Sequence, residues 1–417
     1  MSYVRSFATL GAVALLTLSA QGKARAGEFR GDDFRSIKTV FVIAMENHNW
    51  TQPAIQFTGP IQQIFQNPNA PFINSLVNGT AVARINGQQL NISRQVAYAA
   101  NYRSVLATAD GNNPHVHPSE PNYIWAEAGT NFNIFNDADP YVPQGGVTVN
   151  QPNNRDNQLH LVRLLAHEGK TWRSYQEDTD LMSAGGLTNT VLPRSQWTVP
   201  LTSFSGNFVS GVNRFNGSPQ YNYAAKHNPQ VFFTDSNGGN DPTPANPLSQ
   251  NYAPLQQLSV DLANNGVANY NWITPDQFND MHTALSGGFM GLTGDAANIR
   301  QGDNFLSIIV PEIMASYAYR NNGAIIIWWD ESEQDAANDN PDDFNHTIGE
   351  IVISPLAHPN VQGRPFASTV LLSHSSDLRT MQEIFRVTKP LFLGDATHAN
   401  DLSSLFAEGA IPHEDRD

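Results

Sequence analysis

Acidic and amide side chains follow two apolar runs of the sequence, residues 39–44 and 324–329. Both runs are uninterrupted and rich in β-branched or aromatic residues, which is typical of strands buried on both faces of a sheet. The polar pairs that follow them are Glu46 with Asn47 and Asp330 with Glu331. If these strands are parallel, the pairs meet at one edge of the sheet, where ligands bind in α/β folds.

Three carboxylates at one sheet edge repel one another if they are left bare. A like-charge pair at about 4 Å costs on the order of 4 kcal/mol at an effective dielectric constant near 20. A divalent cation converts this cost into binding, and oxygen ligands suit Mg²⁺, Ca²⁺ or Mn²⁺, with Zn²⁺ an option if a histidine joins. We therefore predict that these four residues bind one metal ion. The alternative is that each pair is only a solvated turn or a helix cap.

A second candidate group is the string HPSEPNY at residues 117–123. Its prolines exclude a regular helix before Ser119 but allow one to begin at that residue. A hydroxyl group at a helix N-terminus lies in positive potential, which favours its alkoxide and an incoming anion. Ser119 is therefore a candidate for nucleophilic chemistry. The alternative is that Ser119 only caps the helix and that the neighbouring histidine is an ordinary loop residue.

Further polar candidates stand near the ends of predicted elements. Asp280 and His282 lie two residues apart in the string WITPDQFNDMH, where the alternative is an ordinary Asx turn. The remaining candidates are single loop histidines, for which a structural role is the alternative: His227, His346 and His374. The chain has no Gly-x-Ser-x-Gly motif, which argues against a standard α/β-hydrolase.

Composition restricts the class of protein. Of the 417 residues, 40% are hydrophobic and 15% are charged, which is typical of a globular chain and not of a disordered one. The formal net charge of −15 argues against a nucleic-acid-binding protein, because phosphate backbones are held by clustered lysine and arginine. The absence of cysteine excludes zinc–thiolate sites and cysteine nucleophiles, so any metal must bind oxygen and imidazole ligands.

The N-terminus has the pattern of a secretion signal. Arg5 precedes an uncharged apolar stretch over residues 7–20, and the string ARA at residues 24–26 fits the small-x-small cleavage pattern. We predict a signal peptide over residues 1–26, a single domain over residues 27–417, and a periplasmic or secreted location. The alternative is an anchor helix that is retained. No other stretch is long and apolar enough to span a bilayer.

Apolar runs alternate with helical patterns along the chain. Two further strands are predicted at residues 231–233 and 351–353. Helices are predicted at residues 157–167, 305–319 and 377–385. Pro311 is expected to break or kink the second helix. This alternation predicts an α/β fold with a mostly parallel central sheet and helices on both faces. Segments rich in Asn, Gly and Pro predict long loop insertions at residues 131–154, 183–219 and 236–251.

Seven strings occur in one order along the chain: MENHNW, HPSEPNY, KHNP, ITPDQFNDMH, WWDES, NHT and LLSHSSDLRTMQEIF. Together they resemble the bacterial and fungal phosphoesterase family, which includes secreted acid phosphatases and phospholipases C and belongs to the alkaline phosphatase superfamily. The resemblance covers residues 37–406 and implies an alkaline-phosphatase-like fold. It also implies that the chain hydrolyses phosphate esters with the help of a divalent metal cation.

The resemblance assigns roles to individual residues. Ser119 matches the position at which related phosphodiesterases carry a nucleophilic threonine or serine. In the mechanism that we expect, His346 or His282 protonates the leaving oxygen. The first metal-binding pair of the family matches Glu46 and Asn47, and the second matches Asp330 and Glu331. The residues expected to contact the substrate are His117, Asn122, His227, Asp280 and His374.

The predicted function is that of an acid-phosphatase-like phosphomonoesterase that acts on a small phosphate ester. The first alternative is a phospholipase C, which would cleave the phosphodiester of a phospholipid head group. A second alternative outside the enzymes is an exported carbohydrate- or lipid-binding protein, which the Asn- and aromatic-rich loops would fit. The sequence leaves the metal identity and the oligomeric state open.

Overall fold

The computed structural model describes residues 35–51, 63–85, 87–105, 117–144, 147–150, 153–332, 347–389 and 391–413. The described residues belong to one compact unit that begins at Arg35. The predicted signal peptide, residues 1–26, and the candidate acid His346 lie outside the described residues. None of the described helices has the length and apolarity that a membrane span requires.

The regular elements of the described residues are numbered in chain order. The strands are β1 (Thr39–Met45), β2 (Asn49–Thr51), β3 (Val82–Ile85), β4 (Gln88–Asn91), β5 (Val96–Ala99), β6 (Tyr102–Arg103), β7 (Tyr141–Gln144), β8 (Val147–Asn150), β9 (Trp172–Gln176), β10 (Leu181–Ser183), β11 (Leu187–Val191), β12 (Phe204–Asn207), β13 (Gln220–Tyr223), β14 (Tyr252–Pro254), β15 (Tyr270–Thr274), β16 (Gly323–Trp329), β17 (Thr347–Ile348), β18 (Glu350–Ile353), β19 (Phe366–Ser368) and β20 (Leu372–Ser373). The α-helices are α1 (Pro71–Asn78), α2 (Ser119–Ala128), α3 (Leu161–His167), α4 (Thr234–Asn237), α5 (Gln256–Ala263), α6 (Asp295–Met314), α7 (Tyr317–Arg320) and α8 (His374–Phe385).

Eight strands form the central sheet, in the order β14-β9-β15-β1-β16-β18-β5-β19. Every neighbouring pair is parallel except the two that involve β18, which runs antiparallel to β16 and β5. The predicted α/β fold with a mostly parallel sheet is therefore confirmed. The remaining strands form two-stranded ribbons, several of them within the predicted loop insertions.

Strands β1 and β16 are neighbours at the centre of the sheet and are paired in register over their whole length. Met45 lies opposite Trp329, so the residues that follow each strand emerge side by side at the same edge. A backbone hydrogen bond from Asp330 to the carbonyl oxygen of Met45, 3.2 Å long, extends the pairing by one residue. This register brings the two polar pairs of the sequence together.

Helices cover both faces of the sheet, as predicted. On one face, the ring of Trp328 lies 5.2 Å from Tyr123 of α2 and 4.6 Å from His374 of α8. Successive strand residues point to opposite faces of a sheet. Ala44 is the partner of Trp328, so the next residue, Met45, points to the other face, where it packs against α6. There a Cβ atom at Gly302 would overlap Met281 Cγ and lie 2.9 Å from Met45 Cε, so these two methionine side chains pack directly on α6 at this glycine.

The structure corrects three predicted elements. Residues 231–233 do not form a strand, because the chain forms a 3₁₀ turn over Pro229–Phe232, and a short apolar run alone does not separate a strand from a buried turn. Of the predicted break or kink at Pro311, the break is wrong, since α6 runs from Asp295 through this proline and ends three residues later at Met314. Its long buried face outweighs the one lost backbone hydrogen bond. Helix α3 begins at Leu161, four residues later than predicted.

Candidate active site

An open pocket of about 240 Å³ lies where β1 and β16 end and α2 begins. Its position agrees with the rule that ligands of open α/β sheets bind beyond the carboxyl ends of the strands. Its lining is polar apart from one proline and consists of Asn47, His117, Pro118, Ser119, Asp137, Lys226, His282 and Glu331. Five of these eight residues are candidates from the sequence.

Ser119 is the first residue of α2, and its hydroxyl group does not cap the helix. The hydroxyl instead points at two carboxylates, with Oγ 3.0 Å from Glu46 Oε2 and 3.2 Å from Glu331 Oε1. A serine has one hydroxyl proton, so it donates to only one of them at a time. The other carboxylate then faces an oxygen lone pair, an arrangement that suits a cation between them.

Two further oxygen atoms of this cluster lack a donor. Among the described residues, Asn47 Oδ1 and Asp330 Oδ2 are buried without a hydrogen-bond partner. The other oxygen of Asp330 accepts the backbone N–H of Asn47 at 3.1 Å. Asn47 has φ +34°, a left-handed conformation that asparagine tolerates better than most residues. Buried oxygens without donors are costly, so the oxygen set of Glu46, Asn47, Asp330 and Glu331 fits a divalent cation.

Burial and mutual repulsion make the cluster hard to ionise without a cation. Burial, followed by the charges of Asp330 and Asp280, raises the pKa of Glu46 well above its usual value. Burial, followed by Glu331, does the same to the pKa of Asp330. The nearby cationic side chain is Lys226, whose Nζ is bound to Asp137 Oδ2 at 2.9 Å. A metal ion can replace the protons that such a cluster otherwise holds.

Behind Glu46 lies a second layer of polar groups. Glu46 Oε1 accepts the hydroxyl of Tyr123 at 2.5 Å and lies 3.2 Å from His227 Nε2. The other ring nitrogen of His227 lies 3.4 Å from Asp280 Oδ2. Candidate ligand atoms of Glu46, His227 and Asp280 lie within 4.8 Å of one another, so this group also has a geometry that could hold a metal ion. His227 and Asp280 are fully buried here, beneath the pocket.

Two of the other predicted site residues contact Glu331, and a third lies in the pocket wall. His117 Nδ1 lies 3.0 Å from Glu331 Oε1, and the side-chain amide of Asn122 donates to Glu331 Oε2 at 2.9 Å. His282 lines the pocket, and its backbone N–H donates to Asp280 Oδ1 at 2.7 Å, which completes the Asx turn considered above. Burial, followed by Lys226, lowers the pKa of His282 to about 4.

The profile of the Phosphoesterase family matches residues 29–388. The chain belongs to this family. Over 347 residues it is 24% identical to the phosphatidylinositol-3-phosphatase of Mycobacterium tuberculosis, with 83% of this chain and 78% of the relative covered. It is 28% identical to a probable acid phosphatase of Kluyveromyces lactis, over 40% of this chain and 30% of the relative. The PsFucS1 sulfatase from Pseudoalteromonas sp. superposes with a TM-score of 0.43 at 12% identity, over 92% of this chain and 74% of the sulfatase.

Family membership confirms the resemblance predicted from the sequence. The chain is a hydrolase that acts on phosphoric ester bonds. The described residues also contain groups of acidic and histidine side chains able to hold a metal ion.

In this phosphoesterase, His374 lies beneath the metal-site candidates and not in the pocket wall. Its Nδ1 accepts the indole N–H of Trp328 at 2.9 Å, so Nε2 carries the proton and donates to the backbone oxygen of Asp330 at 2.5 Å. Burial lowers the pKa of His374 to about 3, which keeps the ring neutral. This position suits the support of Asp330 better than the predicted contact with substrate.

Three polar site residues of the phosphoesterase are absent from the sequence-based prediction: Tyr123, Lys226 and Asp137, which binds Lys226 in the pocket wall. Tyr123 stands four residues after Ser119, so both side chains leave the same face of α2, and this spacing was a usable signal. Lys226 precedes His227 in the KHNP string, but no local pattern shows that its ammonium group reaches the pocket. Burial lowers the pKa of Lys226, but the charges of Asp137 and Glu46 raise it by more. The pKa is therefore raised overall, and the side chain is a permanent cation.

Proposed function

We propose that the chain is a metal-dependent phosphomonoesterase of the acid-phosphatase type, with Ser119 as its nucleophile. The observation that carries the proposal is the position of Ser119 Oγ between Glu46 Oε2 and Glu331 Oε1 at the pocket. The unpartnered oxygens of Asn47 and Asp330 complete an oxygen-rich set for one divalent cation. Such a set favours Mg²⁺, Ca²⁺ or Mn²⁺, and Zn²⁺ becomes an option if a histidine takes part.

A bound divalent cation lowers the pKa of a coordinated hydroxyl group and neutralises charge that develops on the phosphoryl oxygens. The Ser119 hydroxyl loses its proton to solvent in the open pocket, Ser119 Oγ attacks phosphorus, the bond from phosphorus to the leaving oxygen breaks, and a phosphoserine forms. His282 gives a proton to the leaving oxygen. Water then attacks the phosphoserine, which releases phosphate and restores the Ser119 hydroxyl. His346, which lies outside the described residues, is the alternative proton donor.

Two features of the pocket support an acidic working pH and a small phosphomonoester. Because the pKa of His282 is lowered to about 4, the fraction of this ring that can donate a proton grows as the pH falls. Lys226, paired with Asp137 in the pocket wall, offers an ammonium group that can donate to a phosphate oxygen of a small monoester. Apart from Pro118 the described lining is polar and gives little apolar surface for a diacylglycerol part, so this region of the structure does not favour the phospholipase C alternative.

The test is a substrate panel with matched serine variants. Ser119→Ala should lower turnover of p-nitrophenyl phosphate by at least about a thousandfold, because the nucleophile is lost. The control Ser93→Ala changes a buried serine that binds Ala81 and Ser75 far from the pocket, and it should retain activity. Turnover by Ser119→Ala within a few-fold of the wild-type rate would exclude Ser119 as the nucleophile.

Metal dependence and substrate class need separate measurements. Asp330→Asn should abolish metal binding at the catalytic pocket and with it the activity, and chelated protein without metal by elemental analysis should be inactive. Full activity of such metal-free protein would contradict the metal role.

Bis-p-nitrophenyl phosphate and phosphatidylcholine test the diesterase alternative. Because one relative is named a phosphatidylinositol-3-phosphatase, phosphatidylinositol 3-phosphate belongs in the monoester set.

We also propose that the protein is exported to the periplasm or beyond after cleavage of residues 1–26. The support is the basic, apolar and small-x-small pattern of that segment. N-terminal sequencing of the mature protein should then begin at Gly27. A mature protein that retains residues 1–26 would instead support the anchor-helix alternative.

A further inference from the structure

Three buried carboxylates form a second acidic group, away from the catalytic pocket. Glu177 and Asp178 follow β9, and Asp276 follows β15, the neighbouring strand of the sheet. Each residue is at most 3% exposed, and their candidate ligand oxygens lie within 4.8 Å of one another. Among the described residues, none of the three forms an ion pair, and the nearby Arg214 is bound to Glu312 at 2.9 Å.

Backbone N–H groups orient the three carboxylates. Asp276 N donates to Glu177 Oε2 at 2.8 Å, and Asn222 N donates to Asp178 Oδ2 at 3.0 Å. Asp276 Oδ1 accepts the N–H of Asn279 at 2.8 Å, from the turn that Asp276 begins. Glu177 also accepts the side-chain amides of Asn213, at 2.7 Å, and Asn279, at 3.1 Å, so both of its oxygens have donors. The bonds to Asp178 and Asp276 each fix one oxygen and leave the other oxygen of that carboxylate without a backbone donor among the described residues.

The second oxygen of Asp276 has no donor. Asp276 is 1% exposed, and within the described part of the chain its Oδ2 lacks a hydrogen-bond partner. The group beside it is another carboxyl, that of Asp178. Two carboxylates in contact in a buried site repel strongly unless a proton or a cation lies between them.

A small cavity of about 60 Å³ adjoins this group and provides room for an ion. Glu177 and Asp178 form part of its wall, together with Asn213, Gln256 and Arg214, whose guanidinium group is bound to Glu312. Asp276 lies behind Asp178 and does not line the cavity itself. Gln256 Oε1 is also buried without a partner among the described residues, so it offers a neutral oxygen on the same side. A space of this size holds a small cation with one or two waters.

We propose that Glu177, Asp178 and Asp276 bind a hard divalent cation at a structural site separate from the catalytic pocket. The ligands are all oxygens, and waters from the adjoining cavity would complete the set that suits Ca²⁺, which accepts six to eight oxygen ligands in flexible geometry. The inference does not depend on the proposed function, because none of the three residues lines the catalytic pocket.

The ion would anchor the turn that carries Asp280. Within this turn, the N–H of Asp280 donates to the carbonyl oxygen of Asp276 at 2.9 Å. The carbonyl oxygen of Asp280 in turn accepts the N–H of Glu46 at 2.8 Å. A cation bound at Asp276 would therefore stabilise the backbone that positions Glu46 and Asp280, and its effect would be on stability before chemistry.

A proton shared between Asp178 and Asp276 is the competing explanation. Asp276→Asn separates the two, because the amide has the same size and can donate to Asp178 as a shared proton would. If a proton links the pair, the variant is as stable as the parent protein and Ca²⁺ has no effect on either. If a cation links them, the variant loses a stabilisation by Ca²⁺ that the parent shows.

The experiment measures the Tm of chelated protein against Ca²⁺ concentration, with calorimetric titration of Ca²⁺ as the second readout. Asp330→Asn serves as the parent, because it removes the cation from the catalytic site. We expect a saturable rise of a few degrees in the Tm of this parent, lost on further change of Asp276→Asn or Asp178→Asn. The control adds Asp401→Asn to the same parent, which changes a different acidic group formed by Asp401, Glu383 and His413. This control should still show the rise in Tm with Ca²⁺.

The outcomes separate this site from the catalytic one. A parent without any Ca²⁺ response, or a response that survives Asp276→Asn, overturns the proposed site. Either result leaves the role of Ser119 untouched, because the Ser119→Ala assay is independent of this group. Conversely, an active Ser119→Ala variant would overturn the proposed mechanism while a Ca²⁺ response lost with Asp276 still supports the structural site.

Discussion

Replacement of Tyr123 by phenylalanine tests whether Glu46 acts as an ionised metal ligand. The Tyr123 hydroxyl donates to Glu46 Oε1 at 2.5 Å, and both side chains are fully buried. Burial, followed by the charge of Glu46, raises the pKa of Tyr123, so the hydroxyl group stays protonated and donates. The variant removes this one donor and keeps the ring that stacks on His227 at 5.0 Å.

The size of the effect follows from the charge on Glu46. A hydrogen bond to a charged group contributes about 1.5–3 kcal/mol, and about 1.4 kcal/mol corresponds to a tenfold change in affinity. Loss of the Tyr123 donor should therefore weaken metal binding by roughly 10- to 100-fold, the range typical for groups that support metal ligands. Tyr123 does not line the pocket, so saturating metal should restore kcat.

Competition with a chelator measures the metal affinity of Tyr123→Phe, and activity is then titrated with metal. Tyr252→Phe is the matched control, because it removes a buried hydroxyl that donates to Ser236 O at 3.1 Å, at the edge of the sheet. This control should bind metal as the wild type does. An unchanged affinity in Tyr123→Phe, or lost activity that metal does not restore, would refute the assignment of Glu46.

Two further predictions concern charged side chains. Lys226→Met should raise both the KM for p-nitrophenyl phosphate and the Ki of inorganic phosphate about tenfold, because a charged contact to phosphate is lost; an unchanged Ki would exclude this contact. Burial lowers the pKa of His160, but the hydrogen bonds and charges of Asp235 and Glu127 raise it by more, so this pKa is raised overall. Its protonated form therefore stabilises the fold below about pH 6.5, and this contribution is lost as the pH rises through the raised pKa. Urea unfolding of His160→Gln should show a weaker decline of stability with pH than the wild type does.

The parts of the site that follow strands were predictable from the sequence. The runs that became β1 and β16 were apolar throughout, and parallel central strands place their following residues at one edge. The helix start at Ser119 was equally visible, because the flanking prolines restrict where α2 can begin. Local chemistry and a single topological rule were sufficient for this half of the site.

The other half depends on contacts between distant segments. His227 lies in a 3₁₀ turn, and no local pattern places this turn behind Glu46, because the apolar run that follows it at residues 231–233 predicts a strand. Lys226 reaches the pocket only because this turn packs beside α2 and Asp137 holds its ammonium group. Periodicity reports which face of an element is buried, but it does not report which distant element covers it.

Two buried histidines explain why the carboxylates cannot relax apart. His48 Nδ1 lies 3.0 Å from the carbonyl oxygen of Glu46, and its Nε2 lies 2.9 Å from Asp295 Oδ1. His374 holds the carbonyl oxygen of Asp330 in the same way. Each strand end is thus fixed through its backbone, while its carboxylate remains available to the site. Because the backbone cannot move to separate the charges, their repulsion must be relieved by protons or by a cation, and the raised pKa values of Glu46 and Asp330 are the consequence of the same constraint.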